Sequence, residues 1–500
     1  MKRKHLFLLA FSLLFVVFSC VKDNVVDISR KLPQEPQPPA TSGNTITMDS
    51  LRSLALNLPA IFSQQPQTRS TGKTIKEIVS LSSFFNQPAT RTATVSGKNP
   101  VSDIYVVNYS GDAGFAIISA DTRLVDVLAY SDYGNITDTL DNPGVKLFMS
   151  GVYDYADYML NYLPKKGDSV AVHGMVLPKN SATTASRGYT GQKTLSAITE
   201  YPYVNENPYY PPEDDDGYYY RMETVEEQSD WTGTVKGPFV EVKWGQYTPY
   251  NNNMFECSMM GRAPAGCVPT AMAQIMSYHE WPLFIDQSSD FLHWDIWKLY
   301  FKHYKDFKDQ NSPDETNRIA TLFEDLGTLV NINYKCSGSS ASFTDANAAF
   351  NTNTLGYNTD GIISYSPSQV RTDLRNNRPV FVGGHKENDE TGHVWVVDGY
   401  KDQQCIWMEL AYWYRNEGGD TPEELIVIDT LRAELFPRNY VHCNWGWDGI
   451  SNGWFYDNIL LNPQSVFKTN KPEEKDPDTE YYNMGQYSIN VKMIKNLRRK

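Results

Sequence analysis

Residues 264–280 read PAGCVPTAMAQIMSYHE, so that a cysteine stands directly before a run of helix-forming residues. Pro269 is compatible with a first helical turn, because the N–H that it lacks would have no partner there. The following Trp281-Pro282 predicts the end of this helix. Unpaired N–H groups and the helix macrodipole favour an anion at this end, so we expect a lowered pKa for the Cys267 thiol. This position alone is compatible with a core residue, a metal ligand, a redox partner or a nucleophile.

The other cysteines and histidines exclude two of these roles. Six cysteines include no Cys-x-x-Cys pair, which excludes thioredoxin-type redox chemistry and most structural zinc sites. Eight histidines are scattered, and HEWPL at 279–283 lacks the second histidine of a His-Glu-x-x-His motif. We therefore predict no metal site. Whether the non-catalytic cysteines pair stays open.

A cysteine nucleophile needs a base, and His393 is the best candidate among the histidines. It follows Gly392 in TGHVWVVDGY, a strand-like run that would hold an imidazole rigidly enough for general-base catalysis. Taken alone, His393 is equally compatible with a packing role. His442, beside a second aromatic segment, is the other histidine that is hard to dismiss.

Two further segments supply groups that this chemistry requires. In CNWGWDGISNGWF, Asn444 could hydrogen-bond the imidazole and fix its tautomer, while Trp445 and Trp447 could shield that bond from water. In VKWGQYTPYN, Gln246 could donate its amide to an oxyanion, together with the backbone N–H of Cys267. Each segment alone is also compatible with an ordinary structural loop.

The order of the patterns predicts an α+β fold in more than one domain. DIYVVNYSGDAGFAIISAD (103–121) predicts a β-hairpin, and residues 144–160 have helical apolar spacing. Helical patterns over 267–330 then precede several strand-like runs, which favours segregated helices and strands over alternating βαβ units. The insertion at 401–424 would be a long excursion between two of those strands.

The N-terminus has the pattern of an export signal. MKRKHLFLLAFSLLFVVFSC combines a basic start, a short apolar run and a small residue before Cys20. Its end resembles a bacterial lipobox, in which Cys20 would be lipidated, and the Pro-rich segment after it suits a tether. Simple cleavage and release is the alternative. The net charge of −14 argues against nucleic acid or an anionic membrane face as a partner, so that membrane contact is expected only through the lipid.

Several segments together resemble the streptopain family of bacterial cysteine peptidases. The resemblance is carried by GCVPTAMAQIMSYHEWP, GHVWVVDGY, NWGWDGISNGWF and WGQYTPYN, and the chain order Gln, Cys, His, Asn is that of papain-like peptidases. The runs YVVNY and GFAIISAD resemble the inhibitory propeptide of that family. The resemblance extends over residues 45–163 and 235–494.

The resemblance implies a role for each candidate residue. Cys267 matches the nucleophile, His393 the proton acceptor and Gln246 the oxyanion donor, while Asn444 and Trp445 match the motif beside the catalytic histidine. It also implies a papain-like, two-subdomain fold, no cofactor, protein or peptide substrates, and the chain's own propeptide as an intramolecular inhibitor. Thr391 stands where the family usually has glycine, and with the long insertion this puts substrate preference in doubt.

These expectations describe the exported zymogen of a cysteine endopeptidase. It would be a lipoprotein anchored at the periplasmic or outer face of a membrane, or it would be secreted after processing. The alternatives are a papain-like acyltransferase or amidase, and a non-catalytic surface lipoprotein that binds protein. Maturation is expected within the exposed region before the catalytic domain, with Arg187, Lys193 and Arg221 as candidate sites. The expected order is a signal peptide (1–19), a tether (20–44), a small α+β propeptide domain (45–163), an activation region (164–234) and the peptidase domain (235–494).

Overall fold

The computed structural model describes most of the two units that the sequence predicts. The described residues are 45–62, 72–85, 99–137, 141–162, 169–172, 175–178, 219–228, 231–258, 261–285, 291–300, 313–386, 392–416, 424–461 and 489–500. The predicted signal, Cys20 and the tether lie outside them, as do Arg187 and Lys193. No helix within the described ranges has the length and apolar character needed to cross a bilayer.

The N-terminal unit is a four-stranded antiparallel sheet with one helix at each end of its sequence. The predicted hairpin and the predicted helix after it are both confirmed. Asn142 caps the second helix by accepting from the backbone N–H of Gly144, 3.0 Å away. The elements are α1 (Met48–Phe62), β1 (Ile75–Ser80), β2 (Ile104–Tyr109), β3 (Phe115–Ser119), β4 (Val127–Ser131) and α2 (Pro143–Asp157).

The C-terminal unit has its helices first and most of its strands later, which confirms the α+β class. Between the two units, the described part of the chain contains β5 (Ser169–Val172), β6 (Met175–Pro178), β7 (Tyr219–Gln228) and β8 (Thr232–Lys236). The remaining elements are β9 (Glu256–Cys257), β10 (Gly261–Arg262), α3 (Cys267–His279), α4 (Trp294–Tyr300), α5 (Pro313–Leu329), α6 (Phe343–Phe350), β11 (Tyr357–Asn358), β12 (Ile362–Ser364), α7 (Pro367–Arg375), β13 (Val380–Lys386), β14 (Gly392–Asn416), β15 (Glu424–Asn444), β16 (Gly453–Tyr456), β17 (Ile489–Ile494) and β18 (Arg498–Arg499).

One antiparallel sheet runs through both units. Its strand order is β1-β2-β3-β4-β16-β15-β14-β13-β17-β12, and β7 and β8 pair with further parts of β14. The two units meet at β4 and β16, where Ser131 is opposite Gly453 and Ala129 is opposite Phe455. The N-terminal unit therefore extends the sheet of the C-terminal unit instead of forming a separate sheet.

Two hydrophobic cores lie on this framework. The first is shared by α1, α2 and the sheet, and it joins residues of the N-terminal unit such as Phe148 to Trp445 and Phe455. The second surrounds α3, in which ten consecutive residues from Val268 to Ser277 are buried. This helix is thus buried all round over these ten residues, because helices and strands enclose it.

Two connecting segments of the sequence contain paired strands. The insertion predicted at 401–424 extends the sheet as far as Asn416, because β14 continues to this residue and pairs with β15. Aromatic residues in β14 and β-branched residues in β15 suit such a ladder. In the predicted activation region, β7 and β8 pair with β14, and Arg221 lies in β7 opposite Tyr414.

A disulfide joins Cys257 to Cys336, across a sequence separation of 79 residues. This settles the pairing that the sequence left open. Among the described residues, Cys267, Cys405 and Cys443 take part in no disulfide. Cys405 and Cys443 are buried, whereas Cys267 is partly exposed.

Candidate active site

Cys267 is the first residue of α3, as predicted. Gly266 precedes it with a φ of 93°, a conformation that favours glycine. A β-carbon at Gly266 would lie 2.7 Å from Cδ1 of Ile332, so no larger residue fits there. The hydroxyl of Ser339 also donates to the carbonyl of Pro264, at 2.5 Å. The loop that presents the thiol is therefore held on both sides by the segment after α5.

The same helix holds the segment that carries Gln246. The backbone N–H of Ala265 donates to the carbonyl of Gln246 at 2.8 Å, and Thr270 Oγ1 donates to the carbonyl of Gly245 at 3.3 Å. Further along α3, Gln274 Nε2 donates to the carbonyl of Trp244 at 3.0 Å. Gln246 itself is buried. These bonds bring the predicted oxyanion donor next to the loop of the predicted nucleophile.

His393 approaches the same place from β14. The backbone N–H of Val394, the next residue, donates to the Cys267 thiol. The imidazole is buried, and its Nε2 donates to the backbone carbonyl of Trp445 at 2.8 Å. In a neutral ring this bond places the proton on Nε2 and leaves Nδ1 as an acceptor. Cys267, His393 and Gln246 are thus gathered at the junction of α3 and β14.

Asn444 does not bond the imidazole in this structure. Its Oδ1 accepts from Gln274 Nε2 at 3.1 Å and from Asn452 Nδ2 at 3.0 Å, and its Nδ2 donates to the carbonyl of Val242 at 2.9 Å. The predicted bond from Asn444 to His393 is therefore absent here, because other buried groups occupy the amide. Asn444 joins α3 to the end of β15, and the backbone carbonyl of Trp445 contacts the imidazole.

Aromatic rings enclose His393. Trp395 stacks on it at an interplanar angle of 11°, and Trp447 meets it edge-on with 6.3 Å between ring centroids. Trp445 is fully buried and packs on Trp395 and Phe455, at centroid distances of 5.1 and 5.0 Å. Trp445 and Trp447 lie beside the imidazole, but the Asn444–His393 bond that they are predicted to shield is not formed here. The large Trp395 is part of the same aromatic layer.

Burial determines the charge state of both reactive groups. It raises the pKa of the Cys267 thiol, although the N–H groups of Val394, Cys267 and Val268 act in the opposite direction. It also lowers the pKa of His393 to about 4. The expected lowering of the thiol pKa is therefore wrong for this form, because desolvation outweighs the helix terminus. Cys267 and His393 are both neutral here at pH 7.

The N-terminal unit contributes to the burial of His393. α2 begins directly over the site, where a β-carbon at Gly144 would lie 2.8 Å from Cδ2 of His393 and 2.7 Å from Cζ3 of Trp445. The capping residue Asn142 donates to the carbonyl of Ile450 at 3.2 Å. The first turn of α2 therefore contacts the imidazole and the tryptophan beside it.

Three functional positions were missed by the sequence analysis. Gln274 links the segments of Gln246 and Asn444, and its signal was a single polar residue within the apolar run TAMAQIMS. Asn452 accepts from the N–H of Trp445 at 2.9 Å. Gly144 is recognisable only from the tertiary packing.

In the described part of the chain, no cluster of three or more acidic, histidine or cysteine side chains is arranged to hold a metal ion.

Comparisons with known proteins match both units of the chain. Residues 244–455 match the model of the Peptidase C10 family, and residues 52–155 match that of the Spi protease inhibitor. The C-terminal unit is thus similar to Peptidase C10 domains. The chain is a cysteine-type peptidase with an N-terminal inhibitor domain, and the resemblance to streptopain seen in the sequence is confirmed.

Members of this family align over much of the chain. Streptopain of Streptococcus pyogenes is 24% identical over 406 residues, which is 74% of this chain and 78% of streptopain. The thiol protease/hemagglutinin PrtT of Porphyromonas gingivalis is 26% identical over 266 residues, so that the alignment spans 49% of this chain but only 25% of PrtT. A prointerpain A fragment of Prevotella intermedia has a TM-score of 0.44 and 19% identity, covering 81% of this chain and 98% of the fragment.

Proposed function

We propose that the chain is the zymogen of an exported cysteine endopeptidase that hydrolyses proteins through Cys267 and His393. The observation that carries this proposal is the junction of α3 and β14, where the Cys267 thiol accepts from the N–H of Val394 beside His393. Gln246 is bonded to the loop of the nucleophile at the same point. A thiol, an imidazole and an amide donor are the groups that acyl transfer through a thioester requires.

In the proposed reaction, His393 takes the proton of the Cys267 thiol, and the sulfur forms a bond to the carbonyl carbon of the substrate. Gln246 and the backbone N–H of Cys267 donate hydrogen bonds to the resulting oxyanion. The carbon–nitrogen bond then breaks, and the amine leaves with the proton from His393. Water attacks the thioester, gives its proton to His393 and releases the carboxylic acid, after which the thiol regains its proton.

The inhibitor domain is proposed to keep this pair inactive within its own chain. α2 packs on His393 and Trp445, and the burial favours a neutral thiol and a neutral imidazole. Removal of α2 would return water to both groups and allow the thiolate–imidazolium pair to form near the helix terminus. Cys267 would then gain the lowered pKa that the sequence predicts.

Release of the inhibitor domain is proposed to follow cleavage between residues 164 and 234. Arg221 is now the weakest of the three candidate sites, because it lies within β7 and is paired with β14. Proteases require an unpaired extended segment, so cleavage before Tyr219 would leave β7 and β8 with the peptidase domain. Mass spectrometry of the matured enzyme gives the new N-terminus, and a start within 45–160 or after 246 would contradict the division.

Export and lipidation at Cys20 remain part of the proposal. The basic, apolar and small-residue pattern of the first 20 residues supports them. We expect metabolic labelling with a fatty acid to mark the full-length chain and to be lost in Cys20→Ser. Unchanged labelling, or a soluble wild-type protein with no label, would instead favour simple cleavage and release.

Incubation of the wild type and Cys267→Ala with denatured casein tests the proposed activity. Under reducing conditions we expect the wild type to process itself and to digest casein, while Cys267→Ala stays full length. Gln246→Ala should retain the nucleophile but lose about 100-fold in kcat or more, as for other single oxyanion donors. Equal casein digestion by Cys267→Ala would refute the assignment of the nucleophile, and release of other acyl products without peptide cleavage would favour an acyltransferase.

A further inference from the structure

A carboxylate lies beside the proposed oxyanion residue and has no role in the mechanism above. Asp448 follows Trp447 in the loop after β15, with a φ of 54°. A β-carbon at Gly245 would lie 2.6 Å from Cγ of Asp448, so that the carboxyl group occupies the space next to this glycine. Gly245 directly precedes Gln246 in the chain. The acid is thus held at the edge of the reaction centre by backbone packing.

Asp448 has no cationic partner among the residues that the structure describes. Its Oδ1 is enclosed by protein and accepts no hydrogen bond. The aliphatic part of the Lys243 side chain packs on the neighbouring Gly449. Burial alone, with no contribution from this lysine, raises the pKa of Asp448 to about 6. The group is still largely ionised at pH 7. A partly buried carboxylate without a counter-ion is unfavourable, and a bound cation would offset that penalty.

The aromatic residues around Asp448 also suit a cation. The ring of Tyr247 is 42% exposed and meets Trp447 edge-on, with 6.2 Å between centroids. Trp447 in turn meets His393 at 6.3 Å. Asp448 directly follows Trp447, and its carboxyl group packs on Gly245, two residues before Tyr247. A carboxylate and two aromatic faces are the groups that bind a guanidinium or an ammonium.

The inhibitor domain brings an acid near this loop. Asp141 directly precedes Asn142, whose amide donates to the carbonyl of Ile450, two residues after Asp448. Burial first, and then Asp141 and Asp448, raise the pKa of the Tyr247 hydroxyl. Departure of the inhibitor domain removes Asp141 and leaves Tyr247, Trp447 and Asp448 beside the reaction centre.

The direction of the substrate follows from the chemistry. The leaving amine takes its proton from His393, so the substrate residues after the scissile bond pass the imidazole. Trp447 lies on the imidazole, and Tyr247 and Asp448 lie beyond it. We propose that Asp448, Tyr247 and Trp447 form a subsite that selects a lysine or arginine side chain on the leaving-group side of the scissile bond. This inference rests on the proposed peptidase function.

Paired peptide substrates test the subsite on the matured enzyme. The two quenched fluorescent peptides of a pair are identical except for lysine or glutamine at one position after the scissile bond. One pair varies the first position after this bond, and a second pair varies the second position. We expect kcat/KM to favour lysine about tenfold in one pair, which is typical for one hydrogen bond to a charged group. Asp448→Asn should reduce this ratio to about one, and Asp448→Lys should reverse it toward a glutamate peptide.

Asp314→Asn is the matched control, because it removes the same charge from an exposed residue of α5. The lysine-to-glutamine ratio should stay near ten in this control. An unchanged ratio in Asp448→Asn, or a wild-type enzyme that cleaves both peptides equally, would overturn the subsite and leave the peptidase function standing. A wild-type enzyme that cleaves neither peptide nor casein would overturn the proposed function, and the subsite with it.

Discussion

Gly144 provides the most specific test of how the inhibitor domain acts. It occupies the first turn of α2, and its α-carbon faces His393 and Trp445. Adding a single methyl group with Gly144→Ala would place its carbon 2.8 Å from Cδ2 of the imidazole and in direct clash with Cε3 of the Trp445 indole. Real side chains do not tolerate such contacts, so either α2 or the two rings must move.

Two effects of Gly144→Ala oppose each other. Alanine favours a helix over glycine by up to about 1 kcal/mol. Overpacking a rigid contact costs about 1–3 kcal/mol, and the upper part of this range applies here because Trp445 is fully buried between Trp395 and Phe455. The clash therefore prevails, and we expect the contact between α2 and the site to weaken by about 1–2 kcal/mol. This corresponds to about a 5- to 30-fold larger population of molecules in which α2 has moved away from the active site.

The assay is the rate at which purified zymogen matures at a low enzyme concentration, followed by gel electrophoresis. We expect Gly144→Ala to mature about 5- to 30-fold faster than the wild type, while the same change in an inactive Cys267→Ala background lowers the melting temperature. Gly72→Ala is the matched control, because a β-carbon there meets no atom within 4 Å. An unchanged maturation rate and melting temperature in Gly144→Ala would refute the proposed contact.

Three other variants test individual interactions. Burial and the nearby Asp157 raise the pKa of Asp154 from 3.8 to about 8. The unfolded chain therefore loses this proton first, and the free energy of unfolding falls as the pH rises from about 4 to 8. Asp154→Asn should raise the zymogen melting temperature at pH 8 but not at pH 4. Cys257→Ser with Cys336→Ser should destabilise the peptidase by about 4 kcal/mol in denaturant titration, because the disulfide closes a loop of 79 residues. Asn444→Ala should lower stability by about 2–4 kcal/mol, since it leaves several buried hydrogen-bonding groups unpaired.

Each of these substitutions has an outcome that would contradict its basis. Equal stabilisation by Asp154→Asn at pH 4 and pH 8 would show that proton uptake is not the cause. A double serine variant as stable as the wild type would show that the loop is fixed without the disulfide. A stable Asn444→Ala enzyme with a much lower kcat would show that Asn444 orients His393 in the active form after all.

The position of the nucleophile could be predicted from the sequence because the signals are local. Gly266 and Pro269 determine where α3 begins, and the Trp281-Pro282 pair marks where it ends. The strand that carries His393 is equally clear, since GHVWVVDGY is β-branched and aromatic. The order of the segments then supplied the family resemblance.

The bonding within the site could not be predicted, because it depends on competition between distant residues. Asn444 could bond either His393 or Gln274, and only the packing of α3 against β15 decides in favour of Gln274. The pKa of Cys267 depends in the same way on tertiary packing. A helix terminus is visible in the sequence, whereas the desolvation that outweighs it arises only when the chain is folded.

Covalent trapping of the matured enzyme with a peptidyl chloromethyl ketone tests the central claim most directly. We predict one label per chain on Cys267, identified by peptide mapping, while Cys405 and Cys443 stay unmodified because they are buried. His393→Ala should slow the labelling by about 100-fold or more, since the thiolate would lose its partner. Labelling of another cysteine, or an unchanged rate in His393→Ala, would contradict the proposed pair.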